Sequence, residues 1–310
     1  MQRRSFKMLV NQQDHLIIAV PKEFNFKENI SYMSRSNNEC MFEIRDGKVI
    51  KAIPVGNEIL LVEVSENTEG NLLVRFIEKY TPSSDSVRDM VVHYVRDWFD
   101  LDTDLKPYYE MAKRDPLLQQ AVSEFYGLRN IGIPDLFEAL CWGILGQQIN
   151  LTYAYTLKRR FVETFGNSIE WEGQSYWIFP EPEYIAKLTV EDLSSLKMTV
   201  KKCEYLIGVA QLIADGSLSK AQVLGTGNFK EAENMLIKIR GIGPWTANYV
   251  LMRCLRFPNA FPIADVGLHN AIKHLTGAEE KPTKEEILKL AAPWENWESY
   301  ATFYLWRFLY

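Results

Sequence analysis

Asp265 is the residue from which a chemistry can be argued. It follows an irregular connection containing Phe257-Pro258 and Phe261-Pro262, and it precedes Val266-Gly267-Leu268-His269-Asn270-Ala271-Ile272, a stretch with the periodicity of a helix. One carboxylate is thus held at the mouth of a helix beside aromatic residues. A group so placed can stabilise a developing positive charge or orient a water. It can also cap the helix, since Asp is a favoured N-cap, and the two roles are compatible. Upstream, Trp245 and Tyr249 stand one helical turn apart and share a face. Such a pair would stack on a planar ring, and a cationic ring would gain about 0.5–2 kcal/mol there.

The elements that must position these groups are written around the same point. An apolar run (Leu236, Ile237, Ile239) leads into Gly241-Ile242-Gly243-Pro244, and a second periodic segment (Trp245, Tyr249, Val250, Met252) follows. The pattern over residues 229–254 predicts helix, tight glycine turn, helix, with Pro244 in the first turn of the second helix. Two glycines let the backbone turn sharply and come close to another backbone, and the free N–H groups of the helix start face an anion, for which a nucleic-acid phosphate is the natural guest.

The wording Leu236-Ile237-Lys238-Ile239-Arg240-Gly241-Ile242-Gly243-Pro244-Trp245-Thr246-Ala247-Asn248-Tyr249, with Asp265 at its interval, resembles the helix-hairpin-helix DNA glycosylase superfamily, and within it the alkylbase glycosylases of the 3-methyladenine type. The resemblance implies a small antiparallel β-sheet domain packed on a helical one, an α+β fold. It also implies a glycosylase of base excision repair that flips alkylated purines out of duplex DNA and hydrolyses the N-glycosidic bond. Asp265 would be its catalytic acid, stabilising the oxocarbenium ion or orienting the water. Trp245, Tyr249 and Trp297, the last from the Trp297-x-Ser299-Tyr300-Ala301 wording near the C-terminus, would bind the base. Gly241, Gly243 and Thr246 would meet the DNA backbone, and Gln148 or Ile149 would enter the gap left by the extruded nucleotide. Main-chain carbonyls of Ile237, Ile239 and Ile242 would hold a monovalent cation, Na+ or K+. Relatives that also cut the strand carry a lysine where Trp245 stands, so no Schiff base is expected and the abasic site would be left uncut. An oxidised-purine glycosylase would need that lysine, and a non-catalytic hairpin module would have no use for Asp265.

The bulk properties set limits. The formal net charge is −5, yet residues 1–110 hold 14 Lys+Arg against 18 Asp+Glu and the remainder 21 against 22. The acid excess lies mostly in the N-terminal third, which leaves the nearly neutral rest free to meet phosphates with helix N-termini. Four scattered cysteines (Cys40, Cys141, Cys203, Cys254) without CxxC spacing fit reduced thiols in a cytoplasm and no iron–sulfur cluster. No cofactor is expected to be required. No apolar run is long enough for a membrane span, and the four histidines lack metal-binding spacing. A monomer acting on damaged duplex DNA is the expectation.

Residues 1–82 are predicted as a β-rich domain, with strands around Leu16–Val20, Met41–Arg45, Lys48–Ile53, Glu58–Val64 and Asn71–Ile77 punctuated by Asp46-Gly47 and two further turns. Residues 83–310 are predicted as helical, with the catalytic Asp region at 257–272. Asp100, Asp102 and Asp104 are read as a solvated turn with helix caps. Asp135 and Glu138 are read as a capping box, and Thr152 as the cap of the helix from Tyr153 to Phe165. Lys158-Arg159-Arg160 and Lys197, Lys201 and Lys202 are either phosphate contacts or solvated faces.

Overall fold

A computed structural model describes residues 11–12 and 15–309. Strands β1 (Asn11–Gln12), β2 (His15–Ile18), β3 (Glu43–Arg45), β4 (Lys48–Val55), β5 (Glu58–Glu66) and β6 (Leu72–Phe76) form one antiparallel sheet in the order β1-β2-β6-β5-β4-β3. Asp46 and Gly47 both take positive φ, 52° and 72°, and close the β3–β4 hairpin as a primed turn. The register pairs Val49 with Val64 and Ile53 with Leu60 on one face, and Ala52 with Leu61 on the other. The first face joins a continuous hydrophobic core with Val95, Trp98, Leu140 and Val250 of the helical part. The fold is α+β, with the sheet built onto the helices through one core. Among the described residues no helix is long and apolar enough to cross a membrane.

Two elements depart from the sequence-based expectation. Residues Phe26–Met33 form a helix capped by Asn25, where strands alone were expected; Phe24 and Phe26 pack on Phe99 at 6.1 and 6.0 Å and so join the two halves. A hairpin of β7 (Asn167–Trp171) and β8 (Gln174–Ile178) interrupts the helical part. Its Tyr176 and Ile178 cover Ile50, Ala52 and Leu61 on the second face of the sheet.

Three local readings need correction. The helix Leu151–Phe165 is capped by Asn150, which accepts the Tyr153 N–H, and not by Thr152. Asp135 accepts the Glu138 N–H, but the Glu138 carboxylate turns away to Lys158, 3.0 Å off, so half of the expected capping box exists. Asp100 is buried, not solvated, and accepts bonds from the Tyr300 and Thr103 hydroxyls.

Lys158 also meets Glu39 at 3.2 Å. This triad pins the segment after the first helix to the helices Leu136–Leu145 and Leu151–Phe165. Arg159 reinforces it by donating to the carbonyls of Asn37, Asn38 and Glu39. Lys202 donates to the Leu145 carbonyl at 2.6 Å. Lys158, Arg159 and Lys202 are therefore engaged within the protein, while Lys197 and Lys201 remain exposed. Cys40, Cys141, Cys203 and Cys254 are all buried free thiols.

Candidate active site

The hairpin comprises the helices Phe229–Ile237 and Pro244–Arg253. Gly241 turns it with φ 93°, and a Cβ there would lie 2.2 Å from the Tyr205 ring, so both conformation and space require glycine. Gly243 differs. Its φ is −86° and nothing lies within 4 Å of a Cβ built on it, so the protein itself leaves this side open. Pro244 occupies the first turn and Ile242, 3 % exposed, anchors the turn in the core. The Ile239 carbonyl accepts the Ile242 N–H at 3.0 Å.

Asn248 fixes the connection after the second hairpin helix. It donates to Glu233 in the first hairpin helix and accepts the Phe261 N–H at 2.8 Å, tying the aromatic connection to the hairpin. The Ser299 N–H donates to the Pro258 carbonyl at 3.0 Å, so the C-terminal helix Glu298–Trp306 grips the same connection. These bonds deliver Asp265 to the start of the helix Val266–Thr276, where it is the N-cap, and one oxygen accepts the Leu268 N–H at 2.8 Å.

Two indoles complete its surroundings. Trp245 Nε1–H donates to Oδ2 and Trp306 Nε1–H to Oδ1, each at 2.9 Å. Tyr249 lies between the two tryptophans in a tilted stack, its centroid 5.7 Å from that of Trp245 and 6.2 Å from that of Trp306, at interplanar angles of 30° and 32°. The Tyr249 hydroxyl bonds to Arg253, 3.1 Å away, and the buried guanidinium also donates to the Ile131 carbonyl and meets the Tyr32 hydroxyl. Burial pushes the Tyr249 phenol above its ordinary value, and Arg253 opposes that rise. Beneath Tyr249, Trp142, Tyr155 and the Glu39–Lys158–Glu138 triad line a cavity of about 40 Å³, room for water by volume.

Asp265, Trp245 and Tyr249 are thus brought together, and Trp297 is not with them. Its ring lies against Tyr108 at 5.7 Å and Tyr300 at 6.2 Å. The C-terminal tryptophan that touches Asp265 and Tyr249 is Trp306, about 13 Å further along the same helix at 1.5 Å per residue. Thr246 also needs correction, because its side chain is 1 % exposed and its hydroxyl accepts from Gln147 at 3.1 Å.

Gln147, which shares the polar turn with Gln148, donates also to the Gly241 carbonyl at 2.8 Å. Of the two residues expected to enter the duplex, Gln148 is exposed with φ 58° and Ile149 is half-buried against the core. Gln148 is the one presented to solvent.

Residues 141–296 match the HhH-GPD superfamily of base excision DNA repair proteins. The chain belongs to that superfamily. Residues 17–140 match the 8-oxoguanine DNA glycosylase N-terminal domain. The chain is 57% identical over 297 residues to a DNA-3-methyladenine glycosylase of Bacillus subtilis (strain 168), covering 96% of this chain and 98% of that one. It is 30% identical to DNA-3-methyladenine glycosylase 2 of Escherichia coli (strain K12) over 58% of this chain and 60% of that one. Among solved structures, the 3-methyladenine DNA-glycosylase from Archaeoglobus fulgidus aligns with a TM-score of 0.80 at 22% identity, covering 95% and 97%. A Clostridium acetobutylicum 8-oxoguanine glycosylase/lyase in complex with double-stranded DNA aligns at 0.75 and 20% identity, covering 98% and 97%. At such identities these two structures speak for the fold alone.

Proposed function

We propose that this HhH-GPD protein is a monofunctional alkylbase DNA glycosylase, removing 3-methyladenine- and 7-methylguanine-type bases from duplex DNA and leaving the abasic strand uncut. The observation that carries the reading is the bond from Trp245 to Asp265, which puts the carboxylate and an aromatic wall of the site in contact. A base must be flipped to reach such a site, at a cost of a few kcal/mol that is smallest for damaged pairs. Gln148 fills the vacated space. The partly exposed Trp245 ring, backed by Tyr249, recovers part of the cost, and a cationic alkylated purine gains about 0.5–2 kcal/mol over a neutral one.

Its positive charge also makes the base a good leaving group. The work left to the protein is stabilising the oxocarbenium ion and admitting water, for which a carboxylate suffices. Trp245 offers no amine for a Schiff base. The hairpin meets phosphates through Gly241, Gly243 and the first-turn N–H groups, and binding is modest and salt-sensitive. A monovalent cation held by the Ile237, Ile239 and Ile242 carbonyls belongs to the same reading; replacing K+ by tetramethylammonium at constant ionic strength would then weaken duplex binding. The protein acts as a cytoplasmic monomer.

The test is base release from methylated duplex DNA by the wild type and by Asp265→Asn, a near-isosteric change that removes the charge. Release by the wild type alone is expected. Equal release by both, or none by either, overturns the reading.

A further inference from the structure

The two oxygens of Asp265 are held differently. Oδ1 accepts from both the Trp306 indole and the Leu268 N–H, whereas among the described residues Oδ2 accepts only from Trp245. Trp306 is 6 % exposed and packed between Tyr249 and Phe303, while Trp245 is half-buried at the more open side of the stack. Gly267, in the first turn of the helix that Asp265 caps, adds an independent sign. Its φ lies outside the left-handed region, so its backbone makes no demand for glycine. What it leaves is room, since a Cβ there would sit 2.8 Å from Asp265 Oδ1 and 3.2 Å from Trp306 Nε1. A side chain at position 267 would push into the bond between the acid and the second indole.

We infer that Trp306 is a positioning residue for the reaction: it fixes Oδ1 of Asp265, so that Oδ2 is the oxygen that faces the deoxyribose once an entering base displaces the Trp245 donor, and Gly267 provides the space for this clamp. The inference rests on Asp265 being the reacting acid. It makes Trp245 the exchangeable partner and Trp306 the permanent one. A fixed Oδ1 holds the carboxylate plane, and with it the direction of approach to the sugar carbon.

Trp306→Phe keeps a ring against Tyr249 and removes the donor; Gly267→Ala keeps the donor and crowds it. Three quantities are read for each: the single-turnover rate of base release from methylated duplex, the affinity for a duplex carrying a tetrahydrofuran abasic analogue, and the melting temperature. Both variants are expected to release base about 10- to 100-fold more slowly, the scale of misorienting a reacting group, with affinity within about twofold, while the lost or crowded bond lowers the melting temperature by only a few degrees. In protein with 15N-labelled tryptophan, Asp265→Asn is expected to move two indole N–H signals of the eight tryptophans, one of them the signal missing in Trp306→Phe. Wild-type rates in Trp306→Phe, with Asp265→Asn inactive, overturn the clamp and leave the proposed function standing. A joint loss of rate, affinity and melting temperature in both variants reduces Trp306 to packing and also overturns it. Full activity in Asp265→Asn removes the function and the clamp together.

Discussion

Gln147 donates its side-chain amide to the Gly241 carbonyl at 2.8 Å and to the Thr246 hydroxyl at 3.1 Å, so the turn that presents Gln148 and the glycine hairpin are one mechanical unit. Close packing enforces the same contact: a Cβ on Gly143 would stand 2.5 Å from the Thr246 methyl. Gln147→Ala strands a partly buried carbonyl and hydroxyl, at about 1–3 kcal/mol. The expected result is a lower melting temperature together with weaker duplex binding. Weaker binding without loss of stability would place Gln147 on the DNA instead.

The two hairpin glycines are expected to fail in opposite ways. Gly241→Ala meets the Tyr205 ring and an unfavourable φ, and should destabilise by at least about 1–2 kcal/mol. Gly243→Ala meets nothing inside the protein and should keep the wild-type melting temperature while lowering affinity for all duplex sequences alike, because phosphate contacts carry no base information. Fluorescence anisotropy on several unrelated duplexes, beside thermal melts, separates the two.

Trp245 should distinguish lesions by charge. Trp245→Ala is expected to slow excision of 7-methylguanine more than that of neutral hypoxanthine, by roughly 2- to 30-fold, the equivalent of a cation–π energy of about 0.5–2 kcal/mol. Borohydride added during turnover should trap no protein–DNA adduct in either protein. Equal slowing of both lesions would make Trp245 a packing residue.

Lys158 governs the acid stability of the junction between sheet and helices. Burial alone would raise the Glu39 carboxyl, but Lys158 beside it, with the Met41 N–H and Arg35, holds it below its ordinary value. A carboxyl lowered in the folded state adds stability that is present above its unfolded value, about 4.5, and is lost as the pH falls through the folded one. Wild-type melting temperature should therefore drop as the pH is taken below about 4.5. Lys158→Met leaves Glu39 and Glu138 buried without their cation and is expected to cost about 3–5 kcal/mol at neutral pH. Its melting temperature should then fall less steeply on acidification, or rise, because protonation now relieves unpaired charge.

The hairpin and its acid were legible in the sequence because their signals are local. A glycine turn, a first-turn proline, an aromatic pair one turn apart and an Asp before a periodic run all lie within residues 229–272. Trp306 was not, because its bond to Asp265 spans 41 positions and depends on how the last helix is laid across the hairpin. Helical periodicity places Trp297 and Trp306 on one element and says nothing of which end reaches the site. The β7–β8 hairpin carried its own marks, alternation on either side of Glu172-Gly173, whose φ values are 49° and 74°. They were hidden among helices on both sides. The helix Phe26–Met33 is eight residues long, too short for its period to compete with the strands around it.

The buried thiols have a meaning for a protein that works where DNA is being methylated. Burial pushes Cys40 and Cys254 up to about 12, far above neutral pH, so both stay thiols there, and the thiolate is the form that reacts. A repair protein of this build can meet the reagent that creates its substrates without surrendering its own sulfur to it.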